Sequence, residues 1–240
     1  FDYKKLGAQM LTKIEGGMGL LMGGTAGVQA AHVVILGAGT VGLSAAKVAM
    51  GMGARVTILD SNLFRLRQID DLFGGRIQTL ASNAFNIAAA TKDADLLVGS
   101  VLIPGALTPK LVTEAMVKTM KPGSAIVDVA IDQGGCIEPT AKHGATYHDK
   151  PTFKYPVNGG EVVCYSVGNM PGAVARTSTF TLTNATMPYM VDLANKGWKK
   201  ACQDDKALAR GINTYDGKVY FKGVSDALGY ELHCTCDILK

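Results

Sequence analysis

The run His32-Val33-Val34-Ile35-Leu36-Gly37-Ala38-Gly39-Thr40-Val41-Gly42 constrains this chain more than any other stretch. It reads as an apolar strand, a glycine-rich turn and the start of a helix. A second strand, Val56-Thr57-Ile58-Leu59-Asp60, follows and ends in an acid. Each glycine has a physical reason to be there. Gly37 permits the tight turn, Gly39 lets the backbone come close to a pyrophosphate, and Gly42 lets helix and strand pack against each other. Phosphates would then lie at a helix N-terminus, where unpaired N–H groups and the helix dipole favour negative charge.

Asp60 stands about 20 residues beyond the turn, where a carboxylate can accept hydrogen bonds from the hydroxyls of an adenosine ribose. The same charge repels a 2′-phosphate, so the pattern predicts a site for NAD rather than NADP. The alternative is an ordinary glycine-rich turn between strand and helix.

A chain of 240 residues that is 48% hydrophobic can bury one large α/β core and part of another. Its net charge of +4 is small and not gathered into a basic block, which argues against a nucleic-acid partner. No apolar run reaches the ~18 residues of a membrane span, and no signal peptide is visible. The five cysteines, Cys136, Cys164, Cys202, Cys234 and Cys236, are scattered and odd in number. They read as reduced thiols of a cytoplasmic protein rather than a disulfide framework. Cys234, Cys236 and the adjacent His233 are metal-binding residue types, but no second ligand cluster accompanies them, so no metal site is expected. The chain opens on Phe1, in what reads as the end of an element already under way, as a piece of a longer protein would.

Strand patterns recur at 32–37, 55–60, 76–80, 95–100, 124–130 and 162–167. Helical patterns fit 4–14, 40–52, 62–73, 86–92 and 108–120. Near-continuous apolar strands alternating with helices predict a doubly wound parallel sheet, covered on both faces, with ligands beyond the strand C-termini. Glu138 to Gly160, carrying Pro139, Pro151 and Pro156, reads as an irregular excursion. Residues 173–197 look like one helix kinked at Pro188 and stopped at Gly197, followed by a helix over 198–209, a short strand at 218–221 and a helix near 223–230. The expected division is a dinucleotide-binding domain over 1–172 and, over 173–240, a helical portion of a second domain. That portion is too short for a good core of its own.

Several residues could carry chemistry. Asp132 follows the fifth strand, where its carboxylate could orient an amine or move protons, or simply cap the turn at Gln133. Asn169, in Asn169-Met170-Pro171-Gly172, could donate its amide to a substrate carbonyl or carboxylate, or serve only the turn. Ser82 could meet an adenine edge, Arg65 could flank the ribose, and Val101 to Ala106 could wall a nicotinamide. Each also fits a purely structural role. His32, His143, His148 and His233 are scattered and read as loop or surface histidines.

Taken together, these stretches resemble the alanine dehydrogenase family, in the group it shares with the NAD-binding subunit of proton-translocating transhydrogenase. The resemblance is carried by Gly16 to Gly24, Gly37 to Gly42, Thr57 to Asp60, Val101 to Ala106, Val127 to Cys136 (VDVAIDQGGC), Asn169 to Val174 and Thr177 to Thr186. It covers nearly the whole chain. It implies a Rossmann NAD-binding domain joined to part of a substrate domain, and reversible oxidative deamination of L-alanine to pyruvate and ammonia. It implies a catalytic role for Asp132 and substrate contact for Asn169. It further implies NAD contacts at Gly37, Gly39, Thr40, Val41, Gly42, Asp60, Arg65, Ser82, Val101, Leu102, Val129, Ala130, Ile131, Asp132, Val167, Gly168, Asn169 and Met170. A homo-hexamer is the family's assembly. The family's catalytic histidine, and the arginine and lysine that grip the substrate carboxylate, belong to a segment preceding the one matched here. No histidine of this chain matches that role. An NAD-binding module without catalysis and a transhydrogenase-like domain stay open as alternatives.

Overall fold

The computed structural model describes residues 3–102 and 107–240. After α1 (Tyr3–Met10), the chain alternates strand and helix: β1 (His32–Leu36), α2 (Thr40–Gly51), β2 (Arg55–Asp60), α3 (Leu63–Phe73), β3 (Gln78–Ala81), α4 (Ala84–Asp93) and β4 (Leu96–Gly99). Then come α5 (Glu114–Val117), β5 (Ala125–Asp128), α6 (Glu138–His143), β6 (Thr152–Val157) and β7 (Gly160–Tyr165). The strands form one sheet in the order β3-β2-β1-β4-β5-β7-β6, parallel except for β6. Leaving out β6, this is the doubly wound order expected from the six apolar runs.

Strand β1 shows why the sheet is covered on both sides. All five of its residues are buried, and their side chains alternate between faces. Val33 and Ile35 join a cluster with Met10, Ala45, Ala46, Ala49, Leu66 and Ile69 from α1, α2 and α3. Val34 and Leu36 join the opposite cluster with Ile87 and Ala90 of α4 and Val117 of α5. Small side chains at Ala45, Ala46 and Ala49 let α2 lie close to the sheet. Asn62 and Asn83 cap α3 and α4, accepting hydrogen bonds from the backbone N–H of Arg65 and Asn86.

His32, expected on a loop or the surface, is instead buried in β1, with its Nε2 2.8 Å from the Thr57 hydroxyl. Two further sequence expectations are corrected here. The helix expected over 108–120 is only the short α5, opened by a Thr113 cap. Ahead of it, Val112 pairs with Ile137 in a bridge, so its backbone bonds go to a neighbouring segment rather than to a helix. The irregular excursion over 138–160 contains α6 and the edge strand β6, joined to β7 through Asn158-Gly159 with Val157 opposite Gly160. Pro156 lacks an N–H and so suits an edge strand.

By spatial clustering the described residues divide into two compact units, one of residues 3–102 with Thr108–Met170, the other of Leu107 with Pro171–Lys240. In the second, α7 (Ala175–Asp204) runs through Pro188, and its non-helical break falls at Gly197, whose φ is 72°. Then follow α8 (Lys206–Ala209), the hairpin β8 (Thr214–Tyr215) and β9 (Lys218–Val219), and α9 (Lys222–Leu228). Its apolar residues Phe180, Leu182, Met187 and Met190 are exposed. No helix of the described residues is long and apolar enough to cross a membrane. The expectation of reduced thiols holds for Cys136, Cys164 and Cys202 but not for Cys234 and Cys236, which form a disulfide. Their Cα atoms are 5.1 Å apart, a separation a disulfide spans.

The glycine turn supplies a direct test. A Cβ on Gly42 would lie 1.8 Å from the Gly37 carbonyl oxygen, whereas one on Gly39 meets nothing within 4 Å. Gly42→Val should destabilise by about 3 kcal/mol or more. Gly39→Ser, which puts a good capping residue at the helix start, should not lower the urea midpoint. Urea unfolding of the two variants checks the contrast.

Candidate functional site

The glycine turn is held from three directions. Gly37 has a φ of 95°, a conformation natural to glycine, and its N–H donates to the Leu59 carbonyl at 2.8 Å. Ser100, just past β4, donates its hydroxyl to the carbonyls of Leu36 (2.8 Å) and Gly37 (3.1 Å). A Cβ on Gly37 would sit 2.9 Å from the Ser100 carbonyl oxygen. Beyond this packed corner the backbone opens. Gly39 and Thr40 are exposed, and no side chain caps the first turn of α2.

Asp60 joins this turn to the end of β2. Its Oδ2 accepts the Ala38 N–H at 2.7 Å and its Oδ1 accepts the Asn62 N–H at 2.8 Å. With one donor on each oxygen, lone pairs are left for further donors, and the residue is half-buried. Arg65, in the first turn of α3, donates Nε to the Ala38 carbonyl at 2.9 Å. Ser82 follows β3 and donates its backbone N–H to the Asp60 carbonyl at 2.9 Å. Asp60 and Arg65 therefore meet at Ala38 of the glycine turn, and Ser82 is tied to Asp60.

A second group lies at the same sheet edge, past the ends of β5 and β7. Val129 to Gln133 form a 3₁₀ turn with Asp132 exposed on it. The Asn169 N–H donates to both carboxylate oxygens of Asp132, each at 3.3 Å. Asn169 has a φ of 53°, a left-handed conformation that asparagine tolerates better than most residues. Next to it, a Cβ on Gly168 would sit 3.2 Å from Asp132 Oδ1. The two residues singled out for chemistry are thus in direct contact. Val167, Met170 and Ala130 are buried in the hydrophobic clusters, while Val101 is half-buried and Leu102 exposed. Ile103 to Ala106 lie outside the described residues.

Two residues that hold this second group escaped the sequence reading. Asp128, fully buried at the end of β5, accepts hydrogen bonds from the N–H of Cys136 (3.3 Å), the N–H of Ile137 (3.2 Å) and the Thr140 hydroxyl (2.5 Å). It ties both ends of the Val129–Cys136 loop together. A lone acid closing an otherwise apolar strand was its visible signal. Lys110 donates Nζ to the carbonyls of Gly134 and, at 2.6 Å, Gly135, while the Thr108 N–H donates to Gln133 at 3.0 Å. The turn bearing Asp132 is fixed from below by a carboxylate and from outside by an ammonium.

The fold is Rossmann-like, with its two polar groups at the carboxyl ends of the parallel strands. The family model described as alanine dehydrogenase/PNT, C-terminal domain matches residues 4–222, and the chain belongs to that family. It is 99% identical over 236 residues to an alanine dehydrogenase of Bilophila wadsworthia (strain 3_1_6), aligning 98% of this chain with 63% of the relative. It is 58% identical over 223 residues to an alanine dehydrogenase of Methanococcus maripaludis, aligning 93% of this chain with 58% of the relative. A solved structure of an L-alanine dehydrogenase superposes with a TM-score of 0.82 at 45% identity, covering 98% of this chain and 61% of that one. The chain therefore spans less than two thirds of the relatives it matches.

Burial pushes the Asp128 carboxyl above its ordinary value, against the downward pull of the Thr140, Cys136 and Ile137 donors. The sign follows from proton counts. Between the unfolded value, about 3.9, and the raised folded value, the folded state retains a proton that the unfolded chain has lost. This contribution to stability is complete below the unfolded value and lost as pH rises through the folded one. Relative to Asp128→Asn, which does not titrate, the parent chain should lose stability as pH climbs from about 4 toward neutrality. Urea unfolding of both proteins across that range measures the difference.

Proposed function

We propose that this chain carries the NAD site of an L-alanine dehydrogenase, which interconverts L-alanine with pyruvate and ammonia. The observation that carries this reading is the exposed Asp132 carboxylate, held by the Asn169 N–H at the carboxyl ends of the parallel strands. The names of the close relatives support it.

The chain fits a dinucleotide at the glycine turn. Gly39 has open space where a Cβ would stand, and the first turn of α2 presents backbone N–H groups that no side chain occupies. In this reading Gly37, Gly39, Thr40, Val41 and Gly42 cradle the pyrophosphate, and Asp60 accepts the ribose hydroxyls. Arg65 and Ser82 flank the adenosine. Val101, Leu102, Val129, Ala130, Ile131, Val167, Gly168 and Met170 surround the nicotinamide half. The chemistry that NAD supplies when bound is acceptance of the hydride from the alanine Cα. Asp132 orients the substrate amine and holds a proton at its carboxylate as water adds to the imine and ammonia departs. Asn169 fixes its position by the backbone bond and offers its side-chain amide to the substrate carbonyl or carboxylate.

The second unit fits the role of a substrate-domain portion over 173–240, and a homo-hexamer in the cytoplasm is the assembly and setting this reading entails. The family's histidine, arginine and lysine have no matching positions in this chain. Transition-state electrostatics and positioning supply most of an enzyme's acceleration, so these 240 residues by themselves should bind cofactor and turn over little.

Titrating the purified chain and following NADH fluorescence should show NADH bound at least about tenfold more tightly than NADPH. Asp60→Ala, which removes a charged acceptor worth about 1.5–3 kcal/mol, should weaken NADH by about 10- to 100-fold and erase that preference. Equal affinity for the two cofactors would overturn the assignment of Asp60. Alanine-dependent formation of NADH by the chain alone should stay near background, and ready turnover would refute the dependence on groups outside it.

A further inference from the structure

The cysteines fall into two chemical groups. Cys136, Cys164 and Cys202 are buried. Burial and the Asp128 charge push the Cys136 thiol far up and that of Cys164 to about 12. Burial and Asp205 raise Cys202 as well. Since the thiolate is the reactive form, burial and the raised thiols disfavour reaction at these three near neutral pH. Cys234 and Cys236 are exposed and joined to each other across a single residue.

The segment bearing this pair is anchored on both sides. Before it, the His233 N–H donates to the Val219 carbonyl at 2.8 Å, and Leu232 pairs with Val219 in a bridge. After it, Gln203 Nε2 donates to the Leu239 carbonyl at 2.7 Å. Between these anchors the Cys236 N–H donates to Cys234 Sγ at 3.2 Å. Anchoring keeps the two sulfurs near each other when the bond is open, so reclosing costs little chain entropy. The bond closes so short a loop that it removes little freedom from the unfolded chain and adds little to the fold. Exposure lets a small thiol reach it.

We propose that Cys234–Cys236 is a thiol–disulfide exchange site for small-molecule thiols and disulfides, and the redox-responsive position of this chain. In the reducing direction an external thiolate attacks Cys236 Sγ, the bond to Cys234 breaks, and Cys234 leaves as a thiolate. The Cys236 N–H stabilises that charge, which makes Cys234 the better leaving group. A second external thiolate attacks the outer sulfur of the mixed disulfide, releases Cys236, and forms the small disulfide. Two thiols are oxidised, one protein disulfide is reduced, and both protons end on the cysteines. Oxidation reverses these steps, with Cys234 resolving a mixed disulfide on Cys236.

The test equilibrates the intact chain in buffers of varied reduced and oxidised glutathione, quenches by alkylation, and maps peptides by mass spectrometry. Cys234 and Cys236 should shift together between dithiol and internal disulfide as the ratio changes, while Cys136, Cys164 and Cys202 stay unmodified. Cys234→Ser should trap one glutathione on Cys236. The urea midpoint should be the same for the reduced and oxidised chain. The proposal fails if the pair keeps one state at every ratio, if the parent chain accumulates glutathione adducts in place of the internal bond, or if a buried cysteine reacts as fast.

Discussion

The glycine turn at the carboxyl end of β1 depends on one close approach, that of the Gly42 Cα to the Gly37 carbonyl. A side chain at position 42 would need the space that oxygen occupies, less than 2 Å away from its Cβ. Because the contact is made, α2 starts directly above the end of β1. Ser100 can then reach two carbonyls of the turn, and Ala38 presents its N–H to Asp60 and its carbonyl to Arg65. The acid and the cation are thus bound to the two successive peptides that flank the Ala38 Cα. The carboxylate is held by the backbone N–H groups of Ala38 and Asn62.

The second polar group is built on another principle. Asp132 sits on a 3₁₀ turn that has little stability of its own. Its position comes from hydrogen bonds around the loop: Asp128 accepting beneath, Lys110 donating to the carbonyls outside, and the Asn169 N–H arriving from beyond the end of β7. A buried acid without a cation is costly unless donors surround it, and Asp128 has backbone and hydroxyl donors from three residues. The loop gains a rigid base because that acid cannot move without losing them.

The central strands were legible because burial on both faces leaves a continuous apolar signature, as in Val33 to Leu36 and Val56 to Leu59. The contact between Asp132 and Asn169 was not, because it joins residues 37 positions apart through a backbone N–H, which has no sequence signature. Strand β6 was hidden by Pro151 and Pro156. Asn158-Gly159 is a strong hairpin signal, and it outweighs those prolines once the strand lies at an edge, where a missing N–H faces no partner. Lys110 was invisible for a different reason. A lysine in a polar stretch reads as solvated until the carbonyls it neutralises are placed.

Strand β6 has a consequence for how copies of this molecule can meet. It covers β7 and becomes the outer strand, with Pro156 and the exposed Lys154 along it. At the other end, β3 is only four residues long. A sheet rimmed by an imino acid and a charge on one side, and cut short on the other, offers no long ladder of unpaired amides to a neighbouring strand. Self-association by continuing the sheet is therefore disfavoured at both margins.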